Sequence, residues 1–117
     1  MNVIGCRPNG WWRNRHSAMA ALVGHLEQWA RREGTDVTVV FERPPSPPIE
    51  SAVVTVTHAP AAAPNSADDE IVRMIRTDAH PKEIRVATSD RGLAERVRLE
   101  QATVFPAERL HDMIDPR

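Results

Sequence analysis

Runs of β-branched residues alternate along this chain with longer segments whose apolar residues recur at helical spacing. The clearest runs are VTVVF, within residues 36–42, and AVVTVT, within residues 51–58, and both have the composition of buried strands. Residues 16–34 instead carry apolar side chains three or four positions apart, with Ser17 as the predicted N-cap and Gly34 as the stop. This alternation predicts an α/β fold with a largely parallel sheet.

The second half of the chain continues the pattern. The segment SADDEIVRMI predicts a helix that begins at Ser66, and it is followed by a strand in EIRVATS, a helix in DRGLAERVRLE, a short strand in ATVF and a helix in PAERLHDMI. The proline-rich RPPSPP between the first two strands predicts a loop, because proline lacks the N–H that a sheet needs. A length of 117 residues suits one domain, so we expect residues 1–117 to form a single unit.

Composition limits the partners and the compartment. The formal net charge is −1, so no global basic field attracts nucleic acid, although all but one of the 15 Lys and Arg residues are Arg, the side chain that binds phosphate in a bidentate fork. The single Cys6 excludes a disulfide framework, and no stretch resembles a signal peptide or a membrane span. We therefore expect a cytoplasmic protein with no membrane partner.

Acidic residues recur where predicted strands end and helices begin. Asp68 and Asp69 open a helix, Asp90 follows the VATS strand, and Glu42 ends VTVVFE. In open parallel sheets ligands bind outside the carboxyl ends of the strands, so these carboxylates are expected at one edge. A simpler interpretation is also open, since acidic first turns and an aspartate N-cap are ordinary helix-start signals.

Carboxylates at such an edge suit Mg²⁺ or Mn²⁺, which use few protein ligands, retain waters and bridge phosphate oxygens. Zinc is a poor fit, because the five His residues are scattered and there is one Cys. The chain also lacks a Walker A loop, a Rossmann glycine fingerprint and a Gly-x-Ser-x-Gly turn. The spacing leaves metal binding and helix capping as equal alternatives for Asp68 and Asp90.

The segments NVIG, GWWR, ADD and TSD together resemble the YacP-like branch of the NYN domains, within the PIN-like nuclease superfamily, and the resemblance extends over nearly the whole chain. It implies a Rossmann-like three-layer α/β/α fold and metal-dependent hydrolysis of RNA phosphodiester bonds. Asp68 and Asp90 match the family's metal-site carboxylates, with Asp69 and Glu42 as further candidate ligands. Asn2 matches the asparagine that follows the family's first catalytic aspartate, and is a candidate catalytic residue.

The chain departs from the family pattern in three places. Glu42 stands where many relatives have aspartate, and Gly92 stands where some acidic members have a further aspartate. Relatives also begin with an apolar strand that ends in Asp-Gly just before the asparagine, whereas this chain begins at Met1. MNVIG offers only Met1, Val3 and Ile4 before the turn signals that begin at Gly5, whereas a typical strand has about five or six residues. We therefore expect the first strand to be truncated and its aspartate to be encoded upstream of Met1.

Arginines interleaved with tryptophans are the candidate RNA contacts, since a guanidinium binds phosphate and an indole stacks on an unpaired base. One of the two tryptophans is expected to pack inward instead. Arg43 and the hydroxyls that precede Asp90 are further candidates at the same edge. The predicted RNA-binding residues are Arg7, Trp11, Trp12, Arg13, Arg15, Arg43, Thr88 and Ser89.

Two functions remain open from the sequence. The first is a divalent-metal-dependent ribonuclease, and the second is a non-catalytic RNA-binding domain that lacks the first catalytic aspartate. RNA, single-stranded or structured, is the expected partner and DNA is not, while ribosome association is left open. A purely structural role for every acidic residue is the weakest interpretation.

Overall fold

Five parallel strands form one sheet in the computed structural model, which describes residues 2–6, 15–60 and 66–114. The strands are β1 Asn2–Cys6, β2 Val37–Phe41, β3 Val54–His58, β4 Arg85–Ala87 and β5 Thr103–Phe105. The helices are α1 Arg15–Glu33, α2 Ser66–Thr77, α3 Arg91–Leu99 and α4 Ala107–Ile114, with a 3-10 turn at Pro81–Glu83. The sheet order is β3-β2-β1-β4-β5, so the α/β prediction is confirmed.

The strand β1 lies at the centre of the sheet, between β2 and β4. Val3 pairs with Thr38 on one side and with Val86 on the other. The expectation that so short a segment cannot anchor the sheet is therefore wrong, whereas truncation of the strand and an aspartate encoded upstream of Met1 stay predictions. Pairing with β2 over all five residues and with β4 over the first three supplies partners for backbone N–H and C=O groups on both sides of β1.

Two helices cover each face of the sheet, and each face has its own core. On one face Leu26 and Trp29 of α1, with Leu110 of α4, pack against Val39 and Phe41 of β2. On the other face, side chains of α2 and α3 pack against β1, β2 and β4; this core includes Val3, Val40, Ile71, Ile75, Val86, Leu93 and Val97. The three-layer α/β/α architecture follows from this placement.

Several predicted element boundaries shift by a few residues. α1 begins at Arg15, so Ser17 lies in its first turn rather than at its N-cap. β3 begins only at Val54, because the Ser51 hydroxyl accepts the N–H groups of Val53 at 3.2 Å and Val54 at 2.9 Å and forms a turn there. Within the described residues no helix combines the length and apolar character that crossing a membrane requires.

Candidate active site

The order of the strands reverses between β1 and β4, and such a switch point opens a crevice at the carboxyl end of a parallel sheet. Two acidic residues from different elements lie at this crevice. Asp90 follows β4 and caps α3. Asp68 lies in the first turn of α2, a helix that packs over β1 and β2.

Asp68 and Asp90 line the same pocket, which has a volume of about 240 Å³ and which we call the site pocket. Thr88 and Ser89 form another part of its wall, and the remaining lining residues are Ala67, Ala87, Leu93 and Ala107. Asp68 is buried, with 8% of its surface exposed. The fold therefore brings together two carboxylates that are 22 residues apart in the sequence (90 − 68).

The carboxylate of Asp90 is oriented by its role as helix cap. Its Oδ1 accepts the Leu93 N–H at 2.9 Å, while its own N–H donates to Thr88 Oγ1 at 3.0 Å. Gly92 leaves room for this arrangement, because a Cβ at that position would lie 3.2 Å from Asp90 Oδ1. The Asp90 side chain thus caps α3 and also lines the site pocket. Helix capping and metal binding, the two alternatives from the sequence, therefore do not exclude each other.

Ser89 connects the pocket to α4. Its hydroxyl donates to Glu108 Oε2 at 2.8 Å and accepts the Ala107 N–H at 3.1 Å. The hydroxyls of Thr88 and Ser89 are therefore engaged within the protein while they line the pocket. A role for them in RNA contact stays a prediction.

Two other predicted metal ligands lie outside the site pocket. Asp69 is turned toward α3, where its Oδ1 accepts from Arg96 Nη1 at 2.8 Å, and its side chain is 65% exposed. Glu42 follows β2 at the same edge of the sheet and is half-buried, but it is not among the residues that line the pocket. The structure thus separates Asp69 and Glu42 from the pair formed by Asp68 and Asp90.

Asn2 lies at the opposite end of the sheet from the pocket. It pairs with Arg85 at the beginning of β4, and parallel strands all end at the other edge. Its buried side chain donates from Nδ2 to Thr35 Oγ1 at 2.9 Å, and its Oδ1 has no hydrogen-bond partner among the described residues. The expectation that Asn2 acts with Asp68 and Asp90 is corrected on this geometry.

Sequence reasoning missed a buried acidic residue in the first half of α2, two positions after Asp68. Glu70, with a side chain 6% exposed, accepts from Arg73 Nη2 at 3.0 Å and also from Arg73 Nε. The Arg73 guanidinium holds the pKa of Glu70 below its usual value, while burial acts in the opposite direction and the charge of His58 adds to the lowering. The signal available in the sequence was the spacing of three residues, which places both side chains on one helix face.

A comparison with protein families identifies the chain. A sequence profile described as the YacP-like NYN domain matches residues 12–116. The chain belongs to this family. Members of the NYN family are typically nucleases that act on RNA.

The YacP-like fold is also found among solved structures. A crystal structure of Rae1 (YacP) from Bacillus subtilis, a mutant form, matches with a TM-score of 0.74 and 19% identity over 98% of this chain and 76% of that one. At this identity the likeness establishes the fold. A search of curated proteins gave no match.

Much of the predicted RNA-binding set of this NYN domain lies outside the described residues. Arg7, Trp11, Trp12 and Arg13 fall in 7–14, and nothing is described of the Arg15 side chain, although α1 begins there. Arg43 is exposed and follows Glu42 at the carboxyl edge of the sheet.

The donor set of the site pocket fits one hard cation. Among the described residues no three His, Cys, Asp or Glu side chains group as metal ligands. Mg²⁺, however, is commonly held by one or two carboxylates, with waters and substrate phosphate completing its coordination, so Asp68 and Asp90 meet that requirement. They do not provide the carboxylates that a pair of cations would need.

Proposed function

We propose that this chain is a ribonuclease that hydrolyses RNA phosphodiester bonds with one Mg²⁺ or Mn²⁺ held by Asp68 and Asp90. The observation that carries the proposal is the meeting of these two carboxylates in one pocket at the switch point of the sheet. Membership of a family of typical RNA nucleases supports the choice of substrate. When bound, such a cation would lower the pKa of a coordinated water and neutralise charge on the phosphate.

The protein's own residues would orient and enclose the reacting groups. The Leu93 N–H fixes the Asp90 carboxylate, so little reorganisation is required when a ligand arrives. The burial of Asp68 limits the competing water around its carboxylate, which strengthens its attraction for a cation. No side chain is required as the nucleophile in this scheme, because water takes that role.

Cleavage of a labelled single-stranded RNA in Mn²⁺, compared with EDTA, tests the proposal. We expect cleavage in Mn²⁺ only, and its loss in both Asp68→Asn and Asp90→Asn. Asp69→Asn is the matched control, since it removes the neighbouring carboxylate that pairs with Arg96 instead of lining the pocket. Cleavage in EDTA, or undiminished cleavage by Asp90→Asn, would contradict the proposal.

A second candidate function is RNA binding without catalysis. The observation that favours it is the lack of a third grouped metal ligand among the described residues. In that case wild type and Asp90→Asn would bind RNA equally well, and neither would cleave it in Mn²⁺ or Mg²⁺.

A further inference from the structure

A larger groove continues from the site pocket along α3. It has a volume of about 570 Å³ and shares Thr88, Ser89 and Asp90 with the site pocket. Beyond these it is lined by charged side chains of α3 and, on the far side, by Val104 and Pro106. We call it the α3 groove, and its charged side chains are Arg91, Glu95 and Arg98.

The arginines of α3 have different surroundings. Arg96 is bound to Asp69 on the side of α2, at 2.8 Å. Arg91 and Arg98 are exposed, line the groove and form no ion pair within the described part of the chain. Arg91 and Arg98 are seven positions apart, which corresponds to about 10.5 Å along the helix axis at a rise of 1.5 Å per residue. Seven positions are close to two helical turns, so both side chains lie on the same face of α3.

We propose that the α3 groove binds the backbone of the RNA strand on one side of the site pocket, with Arg91 and Arg98 contacting two different phosphates. This inference rests on the proposed function, which supplies RNA as the ligand. A guanidinium binds a phosphate through two parallel N–H donors, and an arginine that forms no ion pair with the described residues does not use those donors there. Val104 and Pro106 offer an apolar surface to the sugar and base.

Glu95 lies between the two arginines in the α3 groove, and its negative charge repels phosphate. If RNA occupies the groove, removing this carboxylate strengthens binding, whereas removing the arginines weakens it. A merely structural role for α3 surface charges predicts neither effect. If RNA binds in the α3 groove, substitutions only three or four positions apart on one helix must change the RNA affinity in opposite directions.

Binding of a fluorescent single-stranded RNA in EDTA, over a range of KCl concentrations, measures these effects without cleavage. For Arg91→Gln/Arg98→Gln we expect weaker binding to all sequences and a log Kd against log salt slope reduced by about 1.4, at roughly 0.7 per phosphate contact. Glu95→Gln should bind more tightly than wild type. Unchanged melting temperatures would show that the exposed substitutions leave the fold intact.

The matched control is Arg31→Gln/Lys82→Gln. It removes the same charge from exposed positions that precede β2 and β4, at the opposite edge of the sheet from the groove. We expect a salt slope close to that of wild type. The groove proposal would be overturned if both double variants lost the same RNA affinity, or if Arg91→Gln/Arg98→Gln kept the wild-type salt slope. Weaker RNA binding by Glu95→Gln would also overturn it.

The same variants separate this inference from the ribonuclease proposal. A wild type that binds RNA through Arg91 and Arg98 but cleaves none in Mn²⁺ would support the groove and refute catalysis. A wild type that cleaves RNA, with an unchanged KM in Arg91→Gln/Arg98→Gln, would refute the groove and leave catalysis standing.

Discussion

Asp90 caps α3 and lines the site pocket, and its capping role can be separated by substitution from the metal-binding role that we propose. Asparagine is as good an N-cap as aspartate, so Asp90→Asn should retain most of the stability, whereas Asp90→Ala should lose about 1 kcal/mol with the cap. Mn²⁺ should raise the Tm of wild type and of Asp69→Asn, but not that of Asp90→Asn, because a ligand stabilises only the fold that binds it. Equal metal stabilisation of all three proteins in thermal melts would refute a shared cation site.

The ion pair between the buried Glu70 and Arg73 should make the stability of the protein depend on pH. The folded pKa of Glu70 lies below the ordinary value of 4.5, chiefly because of the Arg73 hydrogen bond, so its ionised form is favoured more in the folded state than in the unfolded state. The contribution is complete above about pH 4.5 and is lost as the pH falls through the folded pKa. Glu70→Gln should therefore be less stable than wild type at pH 7, with a gap that narrows in acid.

Denaturant unfolding of both proteins between pH 7 and pH 3 measures this gap. Glu95→Gln serves as the control, since Glu95 is exposed and has no ion pair among the described residues. A gap for Glu70→Gln that is constant over this range would contradict the assignment.

At the scale of elements, α1 and α3 are each followed by a residue in the left-handed conformation, a glycine after α1 and a glutamine after α3. Gly34 follows α1 with φ of 60°, while Gln101 lies after α3 with φ of 71°. The left-handed region costs a residue with a Cβ roughly 1–2 kcal/mol, and glycine little. We expect Gly34→Ala to destabilise the protein by about 1 kcal/mol and Gln101→Gly to stabilise it by a similar or smaller amount.

Urea unfolding midpoints at constant slope report both changes in the free energy of unfolding. One substitution removes a glycine and the other adds one. A general effect of glycine on the unfolded chain therefore enters the two changes in the free energy of unfolding with opposite sign. Stabilisation by Gly34→Ala would show that the turn after α1 does not require the left-handed conformation.

At the scale of the whole molecule, one sheet joins two cores. Ile4 lies in the core under α1, and Ile71 lies in the core under α2 and α3. We expect Ile4→Ala and Ile71→Ala each to cost about 2–5 kcal/mol. Since the two side chains belong to different clusters, the double variant should lose nearly the sum, within about 0.5 kcal/mol.

Circular dichroism and tryptophan fluorescence should follow a single coincident unfolding transition in each variant, because β1 contributes to both cores. Leu99→Ala is the control, as Leu99 is 81% exposed and should change stability by no more than about 0.5 kcal/mol. Separate transitions for the two probes would indicate that the two faces unfold independently.

The elements that the sequence alone determined are those with a strong local pattern. VTVVF is buried at every position and forms β2, and the acidic segment that begins at Ser66 forms α2. The position of Asp90 at the carboxyl edge follows from its place directly after a strand. Family membership was equally accessible, because it depends on residues at fixed spacing.

The tertiary structure decided which neighbouring residues share a site. Asp68 and Asp69 are adjacent in sequence, but successive helical residues point about 100° apart, so one lines the pocket and the other pairs with Arg96. NVIGC has a weak local signal and becomes the central strand because β2 and β4 pair with both of its edges. Those contacts join residues more than 30 positions apart, so they cannot be predicted from the local sequence of β1.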